Sequence, residues 1–577
     1  MDDSVRDIET FKAGKGINSG IKDMDPVTTE IVRNALNSAA NQMKRTLIRA
    51  SFSPIVYEVL DFAVALYDKE IRLLAQAPSL PIFMATMSFC IEAAVEAVGG
   101  EEELYPGDVI LYNLPYGTGS HAQDAAIVMP VFLEDGKTLI GYATNKAHWL
   151  DIGAKDPYCT DSTDVFQEGV VFPGVKLYSR GEKVKDIFKM VEANSRMPVG
   201  VLGDINAQIA SVRAGTRELL RVVNRFGQET FEYAVERMFD AGEAVIRKYF
   251  ENIEDGRYVG HGVMDDNGID SDLIEFDVIV EVDGSTVRMD YSQAPDVQRG
   301  PINCPLPSTV SASRVAITML AGSGEPPNEG HLRPVEVITR PGSMFHPLPP
   351  SPCYLYGWSA ISAMEGIYEA LAKAVPTDVP AGSAADICAV LVWGSKDNKY
   401  GEPWVGGSPF PMGQGGFAGG DGDTMIHVAE AAARFPPIEV WEALYPWRFE
   451  KLELTQDSGG AGEHRGGLGL DIVFEVFEDC SLISTVERTK VPGWAALGGK
   501  PGHTNGVTIF YPDGRQEKVG KITGMHLPSG TKIAIHCGGG GGYGDPKKRD
   551  PELVKHDLKQ GYISRAFAEE NYAVEKL

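Results

Sequence analysis

Residues 113–153 read NLPYGTGSHAQDAAIVMPVFLEDGKTLIGYATNKAHWLDIG. Gly117 and Gly119 mark a loop that delivers His121 and Asp124 to the head of an apolar run, residues 125–132. The turn Glu134-Asp135-Gly136 follows, then a second apolar run, residues 138–144, which leads to His148 and Asp151. Two short apolar runs joined through Asp-Gly predict a β-hairpin. Antiparallel pairing sets the start of the first strand beside the end of the second, so His121 and Asp124 are expected near His148 and Asp151. Imidazole nitrogens and carboxylate oxygens gathered in this way suit a borderline divalent metal such as zinc, manganese or iron. The competing reading is turn and capping chemistry beside glycines. Spacing alone leaves both open, because HxxD…H does not fix one helical face as HExxH does.

The flanking chain is organised to hold this hairpin. Asp25-Pro26 and Glu30 open a helix, and Ile31, Ala35, Ala39, Met43 and Leu47 give it one apolar face to about Ala50. Residues 62–67 and 71–75 predict two short strands around a polar turn, with Asp61 just ahead of the first as a turn residue. A helix is expected from about Ile82 to Val98, ending at Gly99-Gly100. From Gly203 the pattern turns helical, breaks at Gly227 and resumes, which predicts a helical hairpin capped by Asp204 and Thr230. Arg196, Gln208 and Arg213 are candidates to face a site, against the commoner reading of solvated helix faces.

Further on, alternation around Val282-Asp283-Gly284-Ser285 predicts a second hairpin, and helices are expected near residues 311–321 and 359–374. Residues 405–423 contain eight glycines and predict a loop that lets backbone approach something closely. Beyond Pro436, short β segments alternate with glycine turns. The run Gly538–Gly542 is not followed by GK[S/T] or a helix, which argues against a phosphate loop. The expected organisation is α+β and multidomain. It comprises a flexible arm (1–22), a metal-site α/β region with a helical hairpin (23–256), a middle α+β domain (257–435), a β-rich domain (436–548) and a C-terminal helix with a charged, mobile tail (549–577).

The 577 residues are 43% hydrophobic, which is enough for a substantial core. A net charge of −27 and a pI near 4.9 disfavour nucleic acid and anionic membrane as partners. Seven scattered cysteines without a CxxC pair read as reduced thiols, and the acidic start does not read as a signal peptide. The expected compartment is the cytoplasm.

The segments DPVTTEIVRNAL, DFAVALYD, GSHAQD, KAHWLDIG, GDINAQIA, RGPIN, NEGHLRPVEV, DSGGAGEHRGGLG and GGGGGYGDP, in this order, resemble the hydantoinase B/oxoprolinase family. The resemblance implies the β-type subunit of an ATP-dependent amidohydrolase that opens cyclic amides such as hydantoins, 5-oxoproline or lactams. It implies a small cyclic-amide substrate and a hydantoinase A-like, actin-like partner that binds ATP and magnesium, the two forming a heterotetramer. Related complexes carboxylate ketones such as acetone or acetophenone, with bicarbonate as co-substrate, and that alternative stays open, as does a structural subunit with a fold-stapling metal. By the same resemblance Asp61, His121, Asp124 and His148 hold one divalent metal, with zinc favoured and manganese or iron as alternatives. Asp151 becomes a catalytic candidate that orients His148. Two departures, Val59-Leu60 before the aspartate and SLPIFMA at 79–85 where many relatives carry histidines, imply a more apolar pocket here.

Overall fold

The computed structural model describes residues 9–11, 26–322, 324–395, 402–428, 431 and 433–573. The hairpin forms as strands Asp124–Phe132 and Leu139–His148, with Asp124 directly opposite His148. They lie at the centre of a seven-stranded antiparallel sheet. Leu139–His148 pairs with Phe62–Asp68 and that with Leu73–Gln76. On the other side, Asp124–Phe132 pairs with Val109–Tyr112, then Pro173–Ser179, then Glu182–Lys183.

The two-residue period of a strand sorts side chains to opposite faces. Phe62, Val64, Leu66, Ala125, Ile127, Ala143 and Ala147 turn to one face and share a core with Val32, Leu36, Met43, Ile205 and Val212. Those last five belong to helices Pro26–Ala50 and Pro198–Phe226. Ala63, Ala65, Val128 and Tyr142 turn to the opposite face, into a core built with the rest of the chain. His148 and Lys146, two residues apart on one strand, share this second face with Asp124. The hairpin therefore carries Asp124, Lys146 and His148 toward the centre of the molecule.

The helical hairpin is present as Pro198–Phe226 and Gln228–Phe250. Its first helix starts at Pro198, so Asp204 is inside it rather than at its cap, and the second begins after Gly227 rather than at Thr230. Asp204 instead accepts from the backbone N–H groups of Phe52 and Ser53 at 2.7 and 3.2 Å, tying helix Pro198–Phe226 to the chain just past helix Pro26–Ala50. Burial pushes its carboxyl up to about 7, against the two backbone N–H donors that lower it. The neutral acid is thus favoured in the fold, and this contribution to stability is full below pH 4 and lost as pH rises through 7. Asp204→Asn keeps the acceptor without the ionisation. The variant is expected to match the wild type at pH 4 and exceed it above pH 7 in denaturant unfolding, with the gap growing by up to about 1.4 kcal/mol per pH unit.

The helix expected over residues 82–98 is two helices, Pro81–Met84 and Met87–Ala97. They part at Thr86, whose hydroxyl bonds back to the Phe83 carbonyl at 2.8 Å.

One expected division is crossed by a sheet, and the arm and the tail each hold ordered elements. Glu9–Phe11, within the arm, is a strand pairing antiparallel with Val335–Thr339, while the remainder of 1–22 is outside the described residues. The division at 435/436 cuts through a four-stranded sheet of Trp404–Ser408, Val390–Gly394, Cys480–Thr485 and Lys521–Leu527. Val390–Gly394 and Cys480–Thr485 are mostly buried and satisfy each other's backbone groups, so the ladder has to cross that division. The tail holds two helices, Pro551–Gln560 and Arg565–Asn571. They are anchored by Val554, Ile563, Ala568 and Tyr572 against Ala461 and by buried Arg549, which pairs with Asp421 and Asp557.

The glycine clusters pack on one another. Gly540 N–H donates to the Gly467 carbonyl, Gly541 N–H to Gly382, and Gly460 N–H to the Gly540 carbonyl, at 2.8–3.0 Å. Gly413 N–H and Gly416 N–H donate to the Gly538 and Gly541 carbonyls. The close approach expected of residues 405–423 is to the backbone of other glycine segments. No described helix is long and apolar enough to cross a membrane, and all seven cysteines are buried free thiols.

Candidate metal centre

Gly119 takes φ +81°, and a Cβ there would lie 2.8 Å from the Ser308 backbone nitrogen. This left-handed turn, packed against the start of helix Leu306–Ala321, swings Ser120 and His121 under the sheet. Buried Lys146 holds the loop from the strand side. Its ammonium donates to the Thr118 carbonyl (3.0 Å) and the Thr86 and Ser120 hydroxyls (2.7 and 3.3 Å), and sits 4.2 Å from the Phe83 ring centre. Burial lowers its pKa, while Cys90, Asp124 and Asp61 oppose that shift.

His121, Asp124 and His148 converge, all buried. The distances are 3.0 Å from His121 Nε2 to Asp124 Oδ1, 2.9 Å from His148 Nδ1 to the same oxygen, and 3.0 Å between the two nitrogens. Together they offer three ligand atoms to one ion, each within 4.8 Å of the others. Protein ligands at about 2.0–2.2 Å from zinc stand roughly this far apart, so the donor set fits a small divalent cation. His121 Nδ1–H donates to the Tyr354 carbonyl at 2.8 Å, which leaves the Nε2 lone pair facing the cluster. Glu168, in turn, accepts from the backbone N–H groups of Cys353 and Tyr354 at 2.8 and 3.0 Å and so fixes that carbonyl. The Tyr356 hydroxyl donates to the other Asp124 oxygen at 3.0 Å. Burial pushes the Asp124 carboxyl up, but the two imidazoles outweigh it and hold the group well below the usual carboxylate range.

Asp61 is outside this tight trio but lines the same cavity. Its Oδ1 is buried without a hydrogen-bond partner, and burial pushes its carboxyl up to about 6 against the pull of His148. An orphaned carboxylate oxygen beside three converging ligand atoms is what an added cation would satisfy. Leu60, just before it, adopts φ +68°, a left-handed conformation rare for a branched side chain and the sort of strain found at ligand clamps.

Asp151 does not fill the place expected of it. Its oxygens accept from the Arg196 guanidinium (2.7 and 3.1 Å), the Arg196 backbone N–H and Gly153 N–H (3.3 Å), and His148 instead turns to Asp124. The Asp151 carboxylate is thus engaged in an ion pair with Arg196. Gln208 braces the opposite face of the hairpin, donating to Ala125 O and Asn145 Oδ1 and accepting from the Trp149 indole. Arg213 packs over the Tyr178 ring.

Sequence reasoning missed Tyr158, Tyr354, Tyr356, Trp358, Glu168 and Lys146. The segment CYLYGW at 353–358, aromatic and following a proline cluster, was the available signal. The cavity beside the trio has a volume of about 100 Å³. Val59, Leu80, Ile82, Phe83, Ile387 and Leu391 supply its apolar wall, so both departures noted in the sequence reach it. Among the described lining residues there is no lysine or arginine.

The sequence profile of the hydantoinase B/oxoprolinase family matches residues 25–546. The chain belongs to that family. One relative, the proposed B-type component of a D-/L-hydantoinase from Pseudomonas sp. strain NS671, is 30% identical over 97% of this chain and 96% of its own. The beta chain of the caprolactamase of Pseudomonas jessenii is 27% identical over 96% of each chain. Among solved structures, the ATP-dependent caprolactamase of Pseudomonas jessenii superposes with a TM-score of 0.88 at 25% identity, covering 95% of this chain and 96% of that one. An ATP-dependent acetone carboxylase superposes with a TM-score of 0.86, covering 95% of this chain and 79% of that one, and its 19% identity speaks for the fold alone.

Tyr356→Phe removes the hydroxyl that orients Asp124 while keeping the ring. It is expected to weaken divalent-metal affinity about 10- to 100-fold, as measured by competition with a chromophoric chelator, with little change in melting temperature.

Proposed function

We propose that this chain is the metal-dependent subunit of an ATP-dependent enzyme that opens small, uncharged cyclic amides, working with a separate hydantoinase A-like subunit that binds ATP. The observation that carries the reading is the buried His121–Asp124–His148 trio with the orphaned Asp61 oxygen at the end of an apolar cavity. Relatives matched over nearly their whole length and named for hydantoin and caprolactam ring opening support the same reading.

His121, Asp124 and His148 would hold the metal, with Asp61 as fourth ligand. When bound, a divalent ion supplies Lewis-acid polarisation of a carbonyl and a hydroxide from water near neutral pH. The chain's own residues do the rest. The Tyr354 carbonyl and the Tyr356 hydroxyl set the orientation of His121 and Asp124. Tyr158 stands beside both imidazole rings, and the wall of Val59, Ile82, Phe83 and Leu391 excludes water from around the reacting amide. With no cationic side chain among the described lining residues, a substrate carboxylate would be buried without a partner, so lactams are favoured over 5-oxoproline.

The test is to purify the chain with its ATP-binding partner and measure ATP turnover. Unsubstituted lactams, hydantoins and 5-oxoproline are compared with ketones plus bicarbonate. ATP consumption with lactams, and at least tenfold less with 5-oxoproline, is expected. Consumption restricted to ketones with bicarbonate would overturn the reading in favour of a carboxylase.

A further inference from the structure

One side-chain donor of the metal cavity has no partner among the described residues. Apart from His121, Asp124, His148 and Asp61, the described lining residues carry side-chain donors at Tyr158, Tyr356, Trp358 and Ser408. Three of these are committed or closed off. The Tyr356 hydroxyl donates to Asp124 at 3.0 Å, the Trp358 indole N–H donates to Asp386 at 2.8 Å, and the Ser408 hydroxyl is fully buried. Tyr158 differs. It is half-buried, and its hydroxyl is neither fully buried nor hydrogen-bonded among the described residues. Burial first, then the Asp124 and Asp61 carboxylates, raise its pKa well above the ordinary tyrosine value, which puts the hydroxyl at the metal end of the cavity.

The ring is held in place. Its centre lies 5.4 Å from that of His121, edge-on, 6.0 Å from that of His148, stacked, and 4.6 Å from that of Tyr354. The chain is pinned on both sides of it, where the Pro157 carbonyl accepts from the Tyr354 hydroxyl at 3.0 Å and Thr160 N–H donates to the Thr523 hydroxyl at 2.7 Å. Phenylalanine would make the same ring contacts, so packing does not account for the hydroxyl. In an apolar enclosure a phenol O–H needs a partner, and this one finds it in whatever occupies the cavity, water at rest and substrate in turnover. We propose that Tyr158 is a catalytic hydrogen-bond donor, its hydroxyl meeting the carbonyl oxygen of the amide, a role that rests on the cyclic-amide reading of this cavity. As a water-derived oxygen adds to the carbonyl carbon, the C=O electron pair moves onto oxygen, and a donor already in position stabilises that charge without reorganisation. The phenol keeps its O–H bond throughout.

The test uses the full chain assembled with its ATP-binding partner. Tyr158→Phe keeps the ring and removes only the hydroxyl. Its opening of γ-butyrolactam and ε-caprolactam is expected to lose about 100- to 1,000-fold in kcat, with metal content and melting temperature unchanged. The second readout is the infrared band of carbonyl-¹³C ε-caprolactam bound without ATP, expected at lower frequency in the wild type than in Tyr158→Phe because a carbonyl that accepts a hydrogen bond is weakened. Tyr158→difluorotyrosine, a stronger donor of nearly the same shape, is expected to lower the band further, and it carries the test where Tyr158→Phe does not fold. A wild-type enzyme that opens no lactam fails the cyclic-amide reading and this role with it. A wild-type enzyme that does open them, matched by Tyr158→Phe in kcat or by either variant in band position, overturns the role alone. Loss of metal together with activity in Tyr158→Phe also overturns it and makes Tyr158 a positioning residue for the two imidazoles.

Discussion

His121→Ala is expected to yield a folded protein that carries no divalent metal and supports no ring opening. His121 contributes one of the three close ligand atoms, and the imidazole it removes also spans from the cluster to the Tyr354 carbonyl. The loss in metal affinity should exceed the roughly 10- to 100-fold that follows from disturbing an outer partner. Metal content by mass spectrometry and ATP-coupled turnover with the partner subunit are the two readouts. Stability should fall much less, by about 1–3 kcal/mol for the acceptors left unmatched, because the hairpin is held from behind by Gln208 and from the side by Lys146. A metal that merely staples the fold makes the opposite forecast. Chelation of the wild type and His121→Ala would then both abolish the cooperative melting transition, and the catalytic assignment would fall.

Gly540→Ala is expected to prevent folding altogether. A Cβ on Gly540 would be 1.9 Å from the Gln414 carbonyl oxygen and 2.2 Å from its carbon, both backbone atoms that cannot rotate away. The neighbouring glycine loops are hydrogen-bonded to one another on several sides, so relief requires separating whole segments. A cost beyond about 5 kcal/mol places the substitution among the rare severe ones and near the whole stability of a domain. Insoluble or uncooperatively melting protein is the expected outcome. Gly506→Ala is the control, since a Cβ there meets nothing within 4 Å and normal melting is expected. A soluble Gly540→Ala protein with unchanged melting temperature would show that the glycine contacts are looser than the geometry requires.

The convergence of His121, Asp124 and His148 was legible because its geometry is local. Two apolar runs and an Asp-Gly turn set a hairpin register, and register alone places Asp124 opposite His148, with His121 one turn away. The helix pair and the apolar wall at Val59 and 79–85 were legible for the same reason, since periodicity and residue type report local structure and polarity. Asp151 misled because its place near His148 in sequence says nothing of Arg196, which arrives from another segment and takes its charge. Asp204 misled likewise: aspartate before an apolar run suits a helix cap, but here it bonds the end of a helix more than a hundred residues away.

By itself, then, the sequence determined the hairpin, the alternation that sends Asp124, Lys146 and His148 to one face, the composition of the cavity wall and the family. Tertiary structure decided which carboxylates are drawn into ion pairs, which aromatic residues surround the His121–Asp124–His148 cluster and what the glycine runs pack against. The physical reason is range. Backbone propensity and strand period act over a few residues, whereas the pairing of a buried charge and the fit of backbone against backbone depend on partners that only the complete fold brings together.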